Sequence, residues 1–330
     1  MSRFYKRLIC LVMLVFVISG AVIYFTVDFH TLTNLTLFQP WSLAMAMGFV
    51  ALGLFLDGSR LMHLVHISKE DITLSQAVQV VFGNYFLALL TPGATGGAVA
   101  QLMFLRKAGV PTGKATVLVF VRTIVSILFL LFCLPFIFWH DAHILPGVSN
   151  ARLGVISYTV FLLFAALGAA IRANLLNHLA VRIARKLALP RRRTFLNIYR
   201  DTRNAIRLLG SSPKAMLLVF AESGLSLIAI YAVVPCLFLG LGVQGTDWYT
   251  VMGRMIFLNM LLYFTPTPGG SGIAEGGFVL LFSEMVPAGT VGIIAVCWRL
   301  IAEYIPFVIG LYYTVKVFGA AFLDRKTIEP

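Results

Sequence analysis

Residues 91–97 read TPGATGG, and residues 267–272 read TPGGSG. Each stretch interrupts a long apolar run with proline and glycine. Four residues of the first stretch recur 176 positions later in the second, namely Thr91, Pro92, Gly93 and Gly96. Within a bilayer, an irregular backbone is tolerated only where it is buried in protein or lines a cavity. A pair of such breaks, one in each half of a hydrophobic chain, therefore predicts the substrate site of a transporter.

The composition is that of a polytopic membrane protein. Of the 330 residues, 59% are hydrophobic and 12% are charged, and the mean hydropathy is +0.92. No polar stretch is long enough for a soluble module, so we expect one integral membrane domain over residues 1–330. We expect neither a metal nor a cofactor, because the cysteines lie singly in apolar runs: Cys10, Cys133, Cys236 and Cys297.

The positive charges are concentrated in one segment. The formal net charge is +13, and eleven of the 26 basic residues lie between residues 172 and 214, where Asp201 is the only acid. This concentration argues against nucleic acid binding and places the segment on the cytoplasmic side of the membrane. We therefore expect the cytoplasmic (inner) membrane, cytoplasmic N- and C-termini, and attraction of the basic segment to anionic inner-leaflet lipids.

The basic segment has helical periodicity. Leucine and isoleucine residues between positions 175 and 187 recur at helical spacing against basic residues, which predicts an amphipathic helix on the inner leaflet. We expect Pro190 and residues 191–193 to end that helix before a second basic helix over 195–209.

Six apolar runs predict transmembrane helices: 8–27, 41–64, 115–138, 153–171, 215–239 and 291–317. The first is longer than a usual signal peptide core, so we expect it to be retained. Segments of about 76–105 and 249–282 contain the two Pro-Gly stretches. At 1.5 Å per residue, the arms of the first measure about 12 to 22 Å, short of a bilayer core of about 30 Å.

The sequence thus predicts an all-α membrane protein with six transmembrane helices and two re-entrant broken-helix hairpins. The order of elements repeats with opposite orientation, so we expect an inverted repeat with halves of about 8–138 and 153–317. The alternative, in which each hairpin arm crosses the membrane completely, stays open.

The helix that follows each turn offers backbone N–H groups and a partial positive charge to an anion. We expect Thr95 and Ser271 to cap these helix starts, and Pro92 and Pro268 to stiffen the turns. The alternative is that the turns only allow close helix packing. The predicted substrate-binding residues of the two turns are Thr91, Pro92, Gly93, Thr95, Gly96, Gly97, Thr267, Pro268, Gly269, Gly270, Ser271 and Gly272.

Three polar residues extend this predicted site. Asn84 and Asn259 occupy similar places on the first arms. We expect each to bind either substrate or the exposed carbonyls of its own hairpin. Glu275 follows the second turn by one helical turn. It either compensates the helix dipole or acts as a counter-charge or protonation switch.

Two arginines lie deep in apolar helices, where ionisable side chains are costly and are functional candidates. Arg299 has Glu303 four positions later, so both are site candidates, although a mutually neutralising pair is equally expected. Arg122 has no acidic neighbour within a turn, and we expect it to contact a phosphate. We expect Asp57 and Arg60 to pair and to do little else.

Motifs of hydrolases, nucleotide-binding proteins and zinc enzymes are absent from the sequence, so we do not expect an enzyme. His140, Asp141 and His143 could be imagined as metal ligands, but a solvated loop is the expected reading.

The segments TPGATGGAVAQLMFLRKAGVP, PTPGGSGIAEGGFVLLF and WRLIAEYIPFVIG resemble the transmembrane domain of lysylphosphatidylglycerol synthetases and related stand-alone flippase-like proteins. The resemblance covers nearly the whole chain and implies movement of a charged-headgroup lipid between leaflets. It matches Arg299 to a family arginine, and it matches the second-turn motif to Pro268, Gly269, Gly270, Gly272 and Glu275.

The sequence departs from the family pattern at three positions. Ala98 and Gln101 replace a glutamate and an arginine that members often carry, and Ala274 replaces an arginine. The resemblance therefore does not define the headgroup. The sequence has no aminoacyl-transferase domain, so we expect that it does not synthesise the lipid.

The leading hypothesis is therefore a lipid translocase that holds the phosphate of a phospholipid or another amphiphile between the two turns. Two alternatives stay open: an enzyme acting on a polyprenyl-phosphate-linked or other lipid substrate, and an accessory subunit docking a lipid-modifying synthase through residues 172–214. A homo-oligomer is left open as well.

Overall fold

All regular secondary structure in the described part of the chain is helical. The computed structural model describes residues 38–141, 144, 149–172, 175, 177–209, 212–243 and 245–324, and the predicted helix over 8–27 lies outside them. In chain order the helices are α1 Pro40–Ile67, α2 Leu74–Leu90, α3 Thr95–Lys107, α4 Thr112–His140, α5 Asn150–Arg172, α6 Asn177–Arg185, α7 Leu189–Leu209, α8 Pro213–Tyr231, α9 Val233–Gly240, α10 Trp248–Leu262, α11 Ile273–Phe282, α12 Val291–Arg299 and α13 Ile305–Asp324. A π-helical turn, Leu300–Tyr304, joins α12 to α13.

Four helical segments of the described chain are long and apolar enough to cross a membrane: Pro40–Ile67, Thr112–His140, Pro213–Gly240 and Val291–Phe318. They coincide with four of the predicted transmembrane helices. The predicted helix over 153–171 falls on α5. The apolar part of α5, Ala151–Leu167, is shorter than the roughly 20 residues that a crossing requires.

Four shorter helices surround the Pro-Gly stretches. The helices before and after the first stretch, α2 and α3, have 17 and 13 residues, and those around the second, α10 and α11, have 15 and 10. In each case the two arms pack against each other. Each arm is shorter than a helix that spans a hydrocarbon core.

Side-chain caps fix where the first arms begin. Thr73 caps α2 in a reciprocal capping box with Gln76. Asp247 caps α10 by accepting a 3.1 Å hydrogen bond from the Tyr249 N–H. Hydrogen bonds from the Thr250 hydroxyl and from His140 hold the pKa of the exposed Asp247 carboxyl at about 2, well below its usual range.

The helices pack reciprocally. α4, which follows the first pair of short helices, packs against α10, and α13, near the C-terminal end, packs against α2. α1 packs against both α8 and α9. The crossing of α13 over α2 is close, because a methyl group on Gly310 would overlap the Phe82 carbonyl oxygen. This exchange of partners packs the two hairpins into one bundle, in which their turns meet.

The basic segment forms α6 and α7, and α7 packs against α4 and α5. The predicted division of this segment into two helices is confirmed, but the break lies at residues 186–188 rather than at Pro190 and residues 191–193. α7 begins at Leu189, so Pro190 lies in its first turn. Proline is favoured in that position because its missing N–H would have no partner within the helix.

Candidate functional site

The two Pro-Gly turns touch each other. Pro92 and Pro268 form an isolated antiparallel β-bridge. Gly93, Gly269 and Gly270 have φ values of 61°, 57° and 66°, a left-handed conformation that costs glycine little. A Cβ atom on Gly269 would lie 3.0 Å from the Leu89 Cγ of the first hairpin, so the second turn also needs glycine for close approach.

A threonine of the first turn organises the start of α3, but it is not the predicted one. The Thr91 hydroxyl donates to the Leu87 carbonyl (2.8 Å) and accepts from the Gly96 N–H (2.7 Å). The prediction that Thr95 caps this helix is wrong, because its hydroxyl donates to the Pro92 carbonyl (3.1 Å). Thr91 can reach forward because the left-handed residue Ala94 folds the helix start back over α2.

A carboxylate of the protein itself, that of Glu275, occupies the start of α11. Its N-cap residue is Gly272, whose N–H donates to the Glu275 carboxylate at 2.8 Å. The predicted cap by Ser271 is therefore wrong, since Ser271 precedes the N-cap. The carboxylate satisfies one orphan N–H group and compensates the partial positive charge of the helix start.

Arg299 ties this carboxylate to the second turn. Its Nε donates to Glu275 (3.1 Å), one Nη donates to the Gly269 carbonyl (2.9 Å), and the other pairs with Glu303. The side chains of Arg299 and Glu275 are 2% and 3% exposed. The Glu275–Arg299–Glu303 cluster, referred to below as the acidic cluster, carries a formal charge of −1. The predicted Arg299–Glu303 pair and the Glu275 counter-charge are thus parts of one cluster.

Arg122 has an acidic partner that sequence proximity did not reveal. It pairs with Asp57, which is 65 positions away on α1 and also pairs with Arg60. Arg60 further donates to Ser126 (2.9 Å) and to Ser223. The expectation that Asp57 serves Arg60 alone is therefore wrong. The Asp57–Arg60–Arg122 group, referred to below as the basic cluster, carries a formal charge of +1 and is buried.

A cavity of about 240 Å³ lies beside the turns. Its polar walls come from both hairpins and from the helices packed on them: Asn84, Tyr85, Tyr231, Asn259, Tyr263, Thr265, Thr267 and Glu303. The predicted residues Asn84, Asn259, Thr267, Gly269, Gly270 and Glu303 thus line one space. The lining does not include Arg122, whose side chain is turned to Asp57.

The two asparagines are anchored within their own hairpins, but only Asn259 binds a backbone carbonyl there, as the simpler interpretation predicts. Asn84 accepts a 2.8 Å hydrogen bond from Gln101 on the second arm. Asn259 donates to the Met255 carbonyl at 2.9 Å. Each amide nevertheless borders the cavity, which leaves its second polar atom available to a headgroup.

Two tyrosines that the sequence patterns did not single out connect the cavity to the charge clusters. Tyr85 lies near Asp57 and Arg122 as well as near Glu303. Tyr263 lies near Ser126, which accepts a hydrogen bond from Arg60 of the basic cluster. A polar group in the cavity would therefore experience both charge clusters. Tyrosines spaced within apolar helices give no sequence signal for such a role.

Two further ion pairs join the end of α4 to α10 of the second hairpin. Arg254 binds Asp141 (2.7 and 3.3 Å) and the Leu281 carbonyl. Asp141 was expected in a solvated loop, but it is buried because Arg254 draws it onto α10. His140 binds Asp247, and His143 lies outside the described residues. The described residues contain no group of three side chains that could hold a metal ion.

Two comparisons with known proteins bear on this site. A family model described as Lysylphosphatidylglycerol synthase TM region matches residues 12–310, a span that includes both turns, the cavity and both clusters. The chain is also similar to a UPF0104 membrane protein of Archaeoglobus fulgidus. The two are 25% identical over 271 residues, which cover 78% of each chain.

Proposed function

The chain belongs to the lysylphosphatidylglycerol synthase transmembrane-region family, and from this membership we propose that it moves a phosphate-bearing lipid between the leaflets of a membrane. The observation that carries the proposal is the contact between the two turns beside a polar cavity. Irregular backbone with unsatisfied polar groups is expected at membrane depth where it lines such a space.

The proposed architecture is a pair of re-entrant hairpins, α2–α3 and α10–α11, that enter from opposite leaflets of the cytoplasmic membrane. The short arms and the reciprocal packing of α4 on α10 and of α13 on α2 support this arrangement. They also support an inverted repeat, since each half supplies the helix that covers the hairpin of the other. Both termini then lie on the cytoplasmic side with the basic segment.

The size of the cavity suits a headgroup and excludes the lipid tails. Pockets for drug-sized ligands occupy about 300–1,000 Å³, and this cavity holds about 240 Å³. In this proposal the tails stay in the surrounding lipid while amide and hydroxyl groups donate to the phosphate in place of water, and the Glu303 carboxylate accepts from hydroxyl groups of the headgroup. An ionised group in the bilayer centre costs at least several kcal/mol, so a polar route lowers the barrier to transfer.

The test uses the purified protein in vesicles of phosphatidylcholine that contain a trace of acyl-labelled fluorescent phosphatidylglycerol. A membrane-impermeant quencher measures the labelled lipid in the outer leaflet. We expect the protein to make the inner-leaflet lipid accessible without altering it, and we expect Gly269→Val to abolish this exchange.

Gly289→Val is the matched control, because Gly289 also has a positive φ of 82° but has open space around it. A chemically modified lipid would favour the enzyme alternative. If phosphatidylglycerol and labelled polyprenyl phosphate both fail to move and both stay unmodified, the translocase proposal is rejected and the accessory role gains support.

A further inference from the structure

His63 and Glu222 form a second polar site beside the basic cluster. The His63 Nδ1 lies 2.8 Å from one Glu222 carboxylate oxygen, and the Ser59 hydroxyl donates to the other at 2.8 Å. Glu222 is 8% exposed. His63 is nearly half exposed and borders a cavity of about 380 Å³ that His66 and Asp71 also line. Water can therefore reach the imidazole while the carboxylate stays largely buried.

This pair adjoins the basic cluster through neighbouring residues of both helices. Ser59, which donates to Glu222, precedes Arg60, and Ser223, which accepts from Arg60, follows Glu222. The titratable and charged groups that face the pair are Asp57 and Arg60 from α1, Tyr85 from α2, Arg122 from α4 and Tyr263 beyond α10. His66 and Asp71, which are hydrogen-bonded to each other, face His63 across its cavity.

The combined charge of the basic cluster and the His63–Glu222 pair depends on one proton. With Glu222 ionised and His63 neutral, the two arginines balance Asp57 and Glu222, and the net charge is zero. One added proton gives a net charge of +1 whether the imidazole or the carboxyl holds it. Three guanidinium nitrogens of the basic cluster have no hydrogen-bond partner among the described residues: Arg60 Nε, Arg122 Nε and Arg122 Nη1. The basic cluster thus has unused donors for an anion when its charge is not compensated.

We propose that His63 and Glu222 bind a proton and that this proton, by leaving the adjacent basic cluster uncompensated, raises the affinity of the cavity beside the turns for the phosphate of the lipid. The inference rests on the proposed function and names its coupling ion. The proton arrives from water in the His63 cavity and is held on the imidazole or the carboxyl, and no other covalent bond changes. Protonation and phosphate binding then favour each other by the same factor, typically about 5- to 150-fold for coupled sites.

The experiment compares exchange of acyl-labelled phosphatidylglycerol at about pH 8 and about pH 5.5, the range in which histidine changes charge. At a fraction of labelled lipid below saturation, where the exchange rate follows the affinity for the lipid, we expect the wild-type protein to exchange it at least about 5-fold faster at the lower pH. Glu222→Gln, which removes the negative charge, is expected to exchange at the faster rate at both pH values. Glu70→Gln is the matched control, because it removes another paired carboxylate, the partner of Lys114, and should keep the wild-type pH ratio.

A second measurement separates failure of this inference from failure of the proposed function. Infrared titration of the carboxyl band in the full-length protein is expected to show a signal that disappears in Glu222→Gln or shifts its titration in His63→Gln. If no lipid moves at any pH, the translocase proposal fails, whereas the titration still tests the proton site. Lipid exchange with the same pH ratio in wild type, Glu222→Gln and His63→Gln would overturn the proton coupling, and so would the absence of both spectral effects.

Discussion

Replacing Arg299 with glutamine should be among the most damaging single changes in the described chain. The glutamine amide can still donate a hydrogen bond, but the substitution removes the only positive charge of the acidic cluster. Glu275 and Glu303 would remain buried without a cation, since their side chains are 3% and 17% exposed. The Gly269 carbonyl of the second turn would lose its 2.9 Å donor as well.

The expected cost is about 3–5 kcal/mol in unfolding free energy, the range for removing one partner of a buried ion pair. The cause is uncompensated charge rather than lost volume, so removing the two carboxylates should restore stability. Glu275→Gln alone should cost only about 1 kcal/mol, because Arg299 and Glu303 remain paired while the cap on Gly272 is weakened.

The assay is unfolding of the purified protein in mixed micelles with an increasing fraction of sodium dodecyl sulfate, followed by circular dichroism. The order of stability should be wild type, Glu275→Gln, the triple glutamine variant of Glu275, Arg299 and Glu303, and then Arg299→Gln. The reasoning is refuted if Arg299→Gln lies within about 1 kcal/mol of wild type, or if the triple variant is no more stable than the single one.

Three further changes test other parts of the structure. Gly310→Ala should lower the midpoint of thermal unfolding by several degrees, because the added methyl meets the Phe82 backbone, whereas Gly48→Ala, with open space around it, should not lower it. The depressed pKa of Asp247, about 2, should make its contribution to stability full above about pH 4 and lost as the pH falls toward 2, so Asp247→Asn should destabilise the protein at pH 7 and not at pH 2 in denaturant titrations. In a cysteine-free background, Pro92→Cys with Pro268→Cys should form a disulfide on mild oxidation, seen by mass spectrometry, because bridged residues have Cα atoms about 4.5–5.5 Å apart; failure to cross-link would contradict the contact between the turns.

The interruptions of the apolar runs could be located from the sequence because proline and left-handed glycines have strong local effects. The ion-pair partner of Arg122 could not be identified from the sequence for the opposite reason. Its partner Asp57 lies on another helix, and no local spacing connects residues 65 positions apart. The helix caps show that the sequence can also leave a hydrogen-bond partner undetermined over a few residues. Thr91 and Thr95 are equally suitable as caps by residue type, and only the folded turn directs the Thr91 hydroxyl to the Gly96 N–H.

The sequence by itself determined that this is a helical membrane protein with two short broken segments, because hydrophobic length and backbone-breaking residues act locally. It also identified six of the residues that line the cavity, namely Asn84, Asn259, Thr267, Gly269, Gly270 and Glu303, but none of its three tyrosines. Only the tertiary structure decided which charges neutralise one another, since the exchange of packing partners brings distant helices together. That arrangement separates one positive and one negative cluster and places the meeting point of the two turns beside the polar cavity.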